Sequence, residues 1–393
     1  MLALNIVAFL FMMGVNFSSG IFSAYLKALG GTELIISIGV AALYITRGTS
    51  SILIDKFSRK IPFKTLFIIA FMGSAISSLL FTIPNSPIIV ALLRTVQGIF
   101  SGLYWVLINI YAVSLSSKSI DKFKNLSSVT IWLNIGGFLG CLITGKIAGT
   151  YSANISFYIG SVILMFGTWI CTFLINIQNT NLTNDNISII KFSQKEKTIL
   201  TFAILTSSMN AYISLGIPLF ILQLGGSYKE IGTTTALGII SAAIVIAISP
   251  KFKKAFPYRT IMRVDYLLII INLFLIFYFK SIFLIYFLQS LLIGIVALER
   301  NLWYGVLQDY SKNFNKSIGI LRGVIDYFGV ILFLLYGYFI QEFGSVIVAS
   351  FIGCLAFVFF ILINIKQLNF LKYKGTIHVN GVIHQYEHMF HRV

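Results

Sequence analysis

Charge is what this chain has least of. Only 10% of its 393 residues are Asp, Glu, Lys or Arg, against about 25% in an average soluble domain. Acidic residues are the scarcer kind, 12 against 29 basic. The three cysteines, Cys141, Cys171 and Cys354, lie scattered in apolar stretches, which excludes a disulfide framework and a metal-ligand cluster. No glycine-rich loop is followed by Lys-Ser/Thr, so the chain encodes no ATP-driven pump. There is no Ser/His/Asp arrangement either; the chain is expected not to be an enzyme and to need no cofactor or metal. All four histidines (His378, His384, His388, His391) fall in the last sixteen residues, beside an Asn380-Gly381 turn signal, and read as part of a solvated tail.

What fills the space is apolar. Hydrophobic residues make up 58% of the chain and its mean hydropathy is +0.91. Twelve apolar spans of roughly 19–29 residues follow one another, each long enough to cross the ~30 Å hydrocarbon layer. The fold class is therefore all-α integral membrane. The first span starts almost at Met1 without a basic leader or a small-residue cleavage site, and is expected to be retained as a helix. If the spans alternate in direction, 22 of the 29 Lys and Arg residues fall on one side and only Lys27, Lys146, Lys229 and Lys280 on the other. Such an excess marks the cytoplasmic side, so both termini are expected there, in a multi-pass protein of the cell membrane. The basic excess is a topology signal, and nucleic-acid binding is excluded. Abundant Ile, Asn and Lys suggest a prokaryotic source.

The chain repeats itself. "ALGGTELIISIG" (28–39) is echoed by "QLGGSYKEIGTT" (223–234) at an offset of 195. The same offset brings Lys56, Phe57, Pro62 and Thr65 onto Lys251, Phe252, Pro257 and Thr260. The organisation that follows is an N-terminal six-helix bundle (1–176), an Asn-rich cytoplasmic linker (177–198), a C-terminal six-helix bundle (199–366) and a cytoplasmic tail (367–393). Two parallel repeats of this kind surround a central pathway.

"DKFSRK" (55–60), after the second span, resembles the signature loop of the major facilitator superfamily: Asp55, Lys56, Arg59 and Lys60 match, while Ser51 and Ser58 stand at its glycine positions. "RTVQG" (94–98) is similar to the family's fourth-span element. "NIGGFLGCLITG" (134–145) resembles its glycine-rich fifth span without the proline common in antiporters. The resemblance implies a twelve-helix fold of two six-helix halves that rock around one site. It also implies a cytoplasmic gate, built from Asp55, Arg59 and Lys60 with Arg322 at the eleventh span, and Arg47 paired across the seam with Asp326.

In that fold the first, fourth, seventh and tenth spans line the cavity. They offer Asn16, Arg94, Gln97, Tyr104, Trp105, Asn109, Asn210, Tyr212, Glu299, Arg300, Asn301, Trp303 and Tyr304. A guanidinium such as Arg94 in mid-span is costly in lipid and must face a cavity or a partner. Glu299 is the first candidate proton carrier, since a buried carboxylate takes up a proton that a nearby arginine releases. Arg94 is its modulator, and Asp326 is a weaker candidate. The function implied is secondary active transport of a small organic solute by alternating access, coupled to protons, with efflux favoured. Uptake of a sugar-like or anionic solute stays open, as does a different class, a non-transporting sensor or lipid scramblase. A monomer in the bilayer is the expected state.

Overall fold

The computed structural model describes residues 1–58, 61–115, 119–174, 194–310 and 314–363, and all regular structure among them is helical. The first crossing is α1 (Leu2–Ser19) and α2 (Phe22–Ala28), broken at Gly20–Ile21. Next come α3 (Glu33–Ser58), α4 (Phe63–Leu80), α5 (Pro87–Ser114), α6 (Ser119–Thr150) and α7 (Ala153–Leu174). The seventh crossing is α8 (Gln194–Ala211), a π-helical turn (Tyr212–Gly216) and α9 (Ile217–Gln223). The chain then forms α10 (Tyr228–Ala255), α11 (Tyr258–Phe279), α12 (Ile282–Tyr310), α13 (Phe314–Phe343) and α14 (Ser345–Leu362). Together they make twelve crossings, of which ten are long and apolar enough to span a membrane on composition alone. α11 departs because it carries Arg259, Arg263 and Asp265, and the apolar part of α14 is short, Ile347–Leu362.

The offset of 195 seen in two short stretches runs through the whole fold. Shifted by it, α2, α3, α4 and α5 begin where α9, α10, α11 and α12 begin. Pro62 and Pro257 stand at the same place, each the residue before a helix, where a fixed φ and a missing N–H cost nothing. Gly30 and Gly225 are equivalent as well, both left-handed at φ +84° and +81°, a conformation that only glycine adopts without strain. The first and seventh crossings are interrupted at equivalent positions, since Gly20–Ile21 shifted by 195 falls within the π-turn, so the break belongs to the repeat. The seventh crossing begins at Gln194, inside the stretch expected as linker. Its first residues, Gln-Lys-Glu-Lys, are good helix formers and extend the apolar helix by a turn. Residues 177–193 of that linker, the tail from 367, Arg59 and Lys60 lie outside the described residues, as do the side chains of Asp55, Asn301, Tyr304 and Arg322.

Large apolar side chains such as Phe173, Phe274 and Phe283 remain exposed on the outer surface, the arrangement expected where lipid is the solvent. The halves meet along α3 with α13 and along α6 with α10. On the face opposite the termini the second contact is backbone against backbone. A Cβ at Gly232 would lie 2.5 Å from the Gly145 Cα, and one at Gly149 would lie 3.5 Å from the Lys229 Cβ. Beside them Ser23 of α2 donates to the Ser214 carbonyl of the π-turn, at 3.0 Å. That carbonyl is free to accept because the widened turn disrupts the regular helical ladder.

A Cβ–Cβ separation of that order suits a disulfide. In a Cys354→Ser background, which removes the exposed thiol, Gly149→Cys with Lys229→Cys should therefore oxidise to an intramolecular disulfide, read by peptide mass spectrometry. Adding Gly232→Val should abolish that bond by driving the two helices apart. Unimpaired cross-linking in the triple variant would contradict this packing.

Candidate functional site

Three groups of buried polar side chains stand out among the described residues, one on the seam and one inside each half. On the seam, Arg47 of α3 meets Asp326 of α13: the guanidinium Nε donates to Oδ2 at 2.9 Å and Nη2 pairs with Oδ1. The Asp326 side chain is only 1% exposed and that of Arg47 14%. The Arg47 guanidinium also lies 4.0 Å from the centre of the Tyr44 ring. α13 approaches α3 closely along this seam, where a Cβ at Gly337 would lie 2.4 Å from the Ser37 Cβ. This two-pronged geometry fixes orientation as well as distance, and it ties one half to the other.

Inside the N-terminal half, Arg94 of α5 is 5% exposed. It donates to the Gln97 amide oxygen one turn on and to Ser19 Oγ at 3.0 Å, and Gln97 in turn donates to Ser18 Oγ at 2.8 Å. Its guanidinium lies 4.0 Å from the centre of the Phe22 ring, an attraction that strengthens where water is excluded. Ser18, Ser19 and Phe22 flank the break in the first crossing. Arg94 and Gln97 thus bind the fourth crossing to that break, with only neutral partners among the described residues.

Inside the C-terminal half, Glu299 of α12 is fully buried. Oε1 accepts from the indole Nε1 of Trp303, one turn on, at 3.3 Å. Oε2 has no partner at hydrogen-bond length, although the Thr206 and Tyr266 hydroxyls face the carboxylate. No cation pairs with Glu299 among the described residues.

The remaining expected residues divide by helix face. Tyr104 is packed in the N-terminal core, its ring stacked 3.5 Å from that of Phe11. Tyr212 and Trp303 are buried in the other half. All three are closed off from solvent in this conformation, and Tyr212 and Trp303 belong to an apolar cluster that also takes in Phe22 and Tyr25 of the first half. Asn16 is buried against α6, where Cys141 donates to its side-chain oxygen at 3.4 Å. Trp105, Asn109, Asn210 and Arg300 are partly exposed. Arg94 and Glu299 sit in different halves, each closed within its own bundle, and the structure does not bring them together.

The comparisons with known proteins agree with this architecture. The family model described as Major Facilitator Superfamily matches residues 4–332. The chain belongs to the major facilitator superfamily. Among solved members, the nucleoside transporter NupG superposes with a TM-score of 0.73 at 16% identity, covering 93% of this chain and 99% of that one. A variant of the same transporter gives 0.76 at 15% identity, with coverage of 92% and 98%. A D-xylose–proton symporter gives 0.71 at 13% identity, with coverage of 92% and 97%. No curated protein matches the chain in sequence. This superfamily member is therefore a multi-pass transporter and not an enzyme.

Sequence reasoning missed Asp265, Thr206 and Tyr266, which surround Glu299. The signal was present: Asp265 interrupts an apolar stretch whose equivalent in the first half, around Ala70, is uncharged.

Removing one member of a buried ion pair leaves the other charge without compensation, at a cost of about 3–5 kcal/mol. Arg47→Ala should destabilise the transporter on that scale in reversible unfolding, and Arg47→Ala with Asp326→Ala should recover much of the loss. Equal destabilisation by the single and double variants would show that Asp326 does not depend on Arg47.

Proposed function

We propose that this chain is a proton-coupled secondary transporter that moves a small polar organic solute by alternating access. The observation that carries the reading is Glu299, a carboxylate sealed within a half-bundle with one indole donor and, among the described residues, no cationic partner. An uncompensated charge in such a place costs several kcal/mol, so the site holds a proton at rest. Rocking of the halves would expose it to water and release that proton, and this makes proton movement depend on conformation. Asp326 is paired with Arg47 and gates the seam instead. Arg94, held by Gln97 and Ser19, braces the fourth crossing against the break in the first.

Solutes rich in hydroxyl groups, as nucleosides and pentoses are, suit the amide and indole groups of Trp105, Asn109 and Asn210. Two superfamily members of the same fold are named for such solutes, one of them as a proton symporter. Uptake with protons is favoured on these grounds. The alternative, efflux, rests on the Arg94–Gln97 resemblance. Both termini lie in the cytoplasm on the distribution of Lys and Arg. The chain acts as a monomer in the cell membrane.

Proteoliposomes loaded with a pH dye and offered a panel of nucleosides and pentoses test the reading. Wild type should move protons with one solute class, in the same direction for symport and in opposite directions for efflux. Glu299→Gln should remove the proton signal. Solute flux with no proton signal in either protein would refute coupling, and the Gly149→Cys/Lys229→Cys disulfide should stop flux until it is reduced. For topology, alkaline phosphatase fused after Lys280 should be active and one fused at the C-terminus inactive.

A further inference from the structure

The internal repeat supplies a control for every residue in the C-terminal half. Shifting by 195 brings Thr206, Asp265, Tyr266 and Glu299 onto Phe11, Ala70, Phe71 and Tyr104. In the first half three of these positions form a buried aromatic cluster, with Phe11 stacked 3.5 Å from Tyr104 and edge-on to Phe71 at 5.0 Å. The Tyr104 hydroxyl reaches the Val7 carbonyl at 3.4 Å, and Ala70 is wholly buried. The backbone plan is the same in both halves, so packing alone can be served by an apolar set. In the second half all four positions carry oxygen, and all four remain buried: Thr206 at 1% exposure, Asp265 at 3%, Tyr266 and Glu299 at 0%. Each also holds an oxygen with no partner at hydrogen-bond length: Thr206 Oγ1, Asp265 Oδ2, the Tyr266 hydroxyl and Glu299 Oε2.

Among the described residues Glu299 is the charge that acts on Asp265, and Tyr266 lies within reach of both carboxylates. The charged groups nearby are otherwise engaged or turned away. Arg259 donates to the Ile363 carbonyl at 2.7 Å. Arg263 precedes Asp265 by two residues on α11, and Arg300 follows Glu299 by one on α12. Those spacings turn the side chains about 200° and 100° apart around their helices. From α13, Asp326 is taken by Arg47, and Tyr336 faces Ser208. Neither Asp265 nor Glu299 has an ion-pair partner among the described residues.

We propose that Asp265 and Glu299 form one proton-binding unit, a buried carboxyl pair that shares a single proton. Two ionised carboxylates cannot stand side by side in a dry interior. The donors nearby match one remaining negative charge: the Trp303 indole N–H, already in place, and the Thr206 and Tyr266 hydroxyls, which face it. Three neutral donors suit one carboxylate and one carboxylic acid, whereas a doubly protonated pair would leave donors in excess. Asp265 is thus a second proton-binding residue, and the unit is an elaboration of the repeat, built where the first half keeps an aromatic core. This rests on the reading of Glu299 as the proton carrier.

The test is an infrared titration of the purified full-length protein, following the protonated-carboxyl stretch and its shift in heavy water. Wild type should keep the band to higher pH than either Asp265→Asn or Glu299→Gln. Losing the shared proton leaves two adjacent charges in wild type and one in each variant. Sites coupled in this way interact by more than about one pH unit, so each single variant should titrate at least that much lower, and the double variant should lose the band. Asp265→Ala restores the residue that the first half carries and guards against misfolding; it should behave as Asp265→Asn does. An unchanged band in both Asp265 variants would overturn the pair while leaving Glu299 as a lone carrier. Loss of the wild-type band on adding sodium at constant pH would also overturn it, in favour of a metal-cation site. If the bands shift as expected but Glu299→Gln still moves protons with solute, the pair stands and the coupling role fails.

Discussion

A bilayer offers buried polar groups no water, so each must be satisfied within the chain or carry a ligand. Most features of this transporter follow from that constraint. Arg94 could not lie in mid-membrane without the Gln97 amide, Ser19 and the face of Phe22. Asp326 could not be sealed on the seam without Arg47. These partnered groups brace the structure. At Glu299 and Asp265 the constraint is not met by protein atoms alone, and the proposed coupling chemistry is located there.

The same constraint shapes the contact between halves. Lipid is as apolar as leucine, so burial drives helix association weakly, and close backbone approach takes its place. Gly145 and Gly232 supply that approach on one face, and Gly337 supplies it where α13 crosses α3. Side chains also meet across the halves, the Tyr44 ring with that of Phe333 and the Thr49 hydroxyl with that of Tyr327. The broken first and seventh crossings meet at the Ser23–Ser214 hydrogen bond, which puts two polar backbone interruptions next to each other where the pathway closes.

The repeat makes the asymmetry between halves informative. Equivalent helices begin at equivalent residues, yet the N-terminal interior is aromatic around Tyr104 and the C-terminal interior is acidic around Glu299. A scaffold held constant while its core chemistry changes separates what the fold requires from what has been added to it.

Much of this was legible from residues alone. Scarce charge and long apolar runs dictated a helical membrane protein, because no other arrangement satisfies the backbone in lipid over such lengths. An offset between two loops revealed the two halves, and the pairing of Arg47 with Asp326 was anticipated from the family resemblance, which sets their spans side by side. Other features depended on which way a helix turns. Each residue rotates by about 100°, so Tyr104, Tyr212 and Trp303 could be placed on a crossing but not on its cavity side. Their enclosure came from contacts between elements far apart in the chain. The company of Glu299 was hidden for the same reason: Thr206, Asp265 and Tyr266 lie on other helices. Composition and periodicity determine which segments enter the membrane. Only packing in three dimensions decides which polar side chains meet there and which are left wanting a partner.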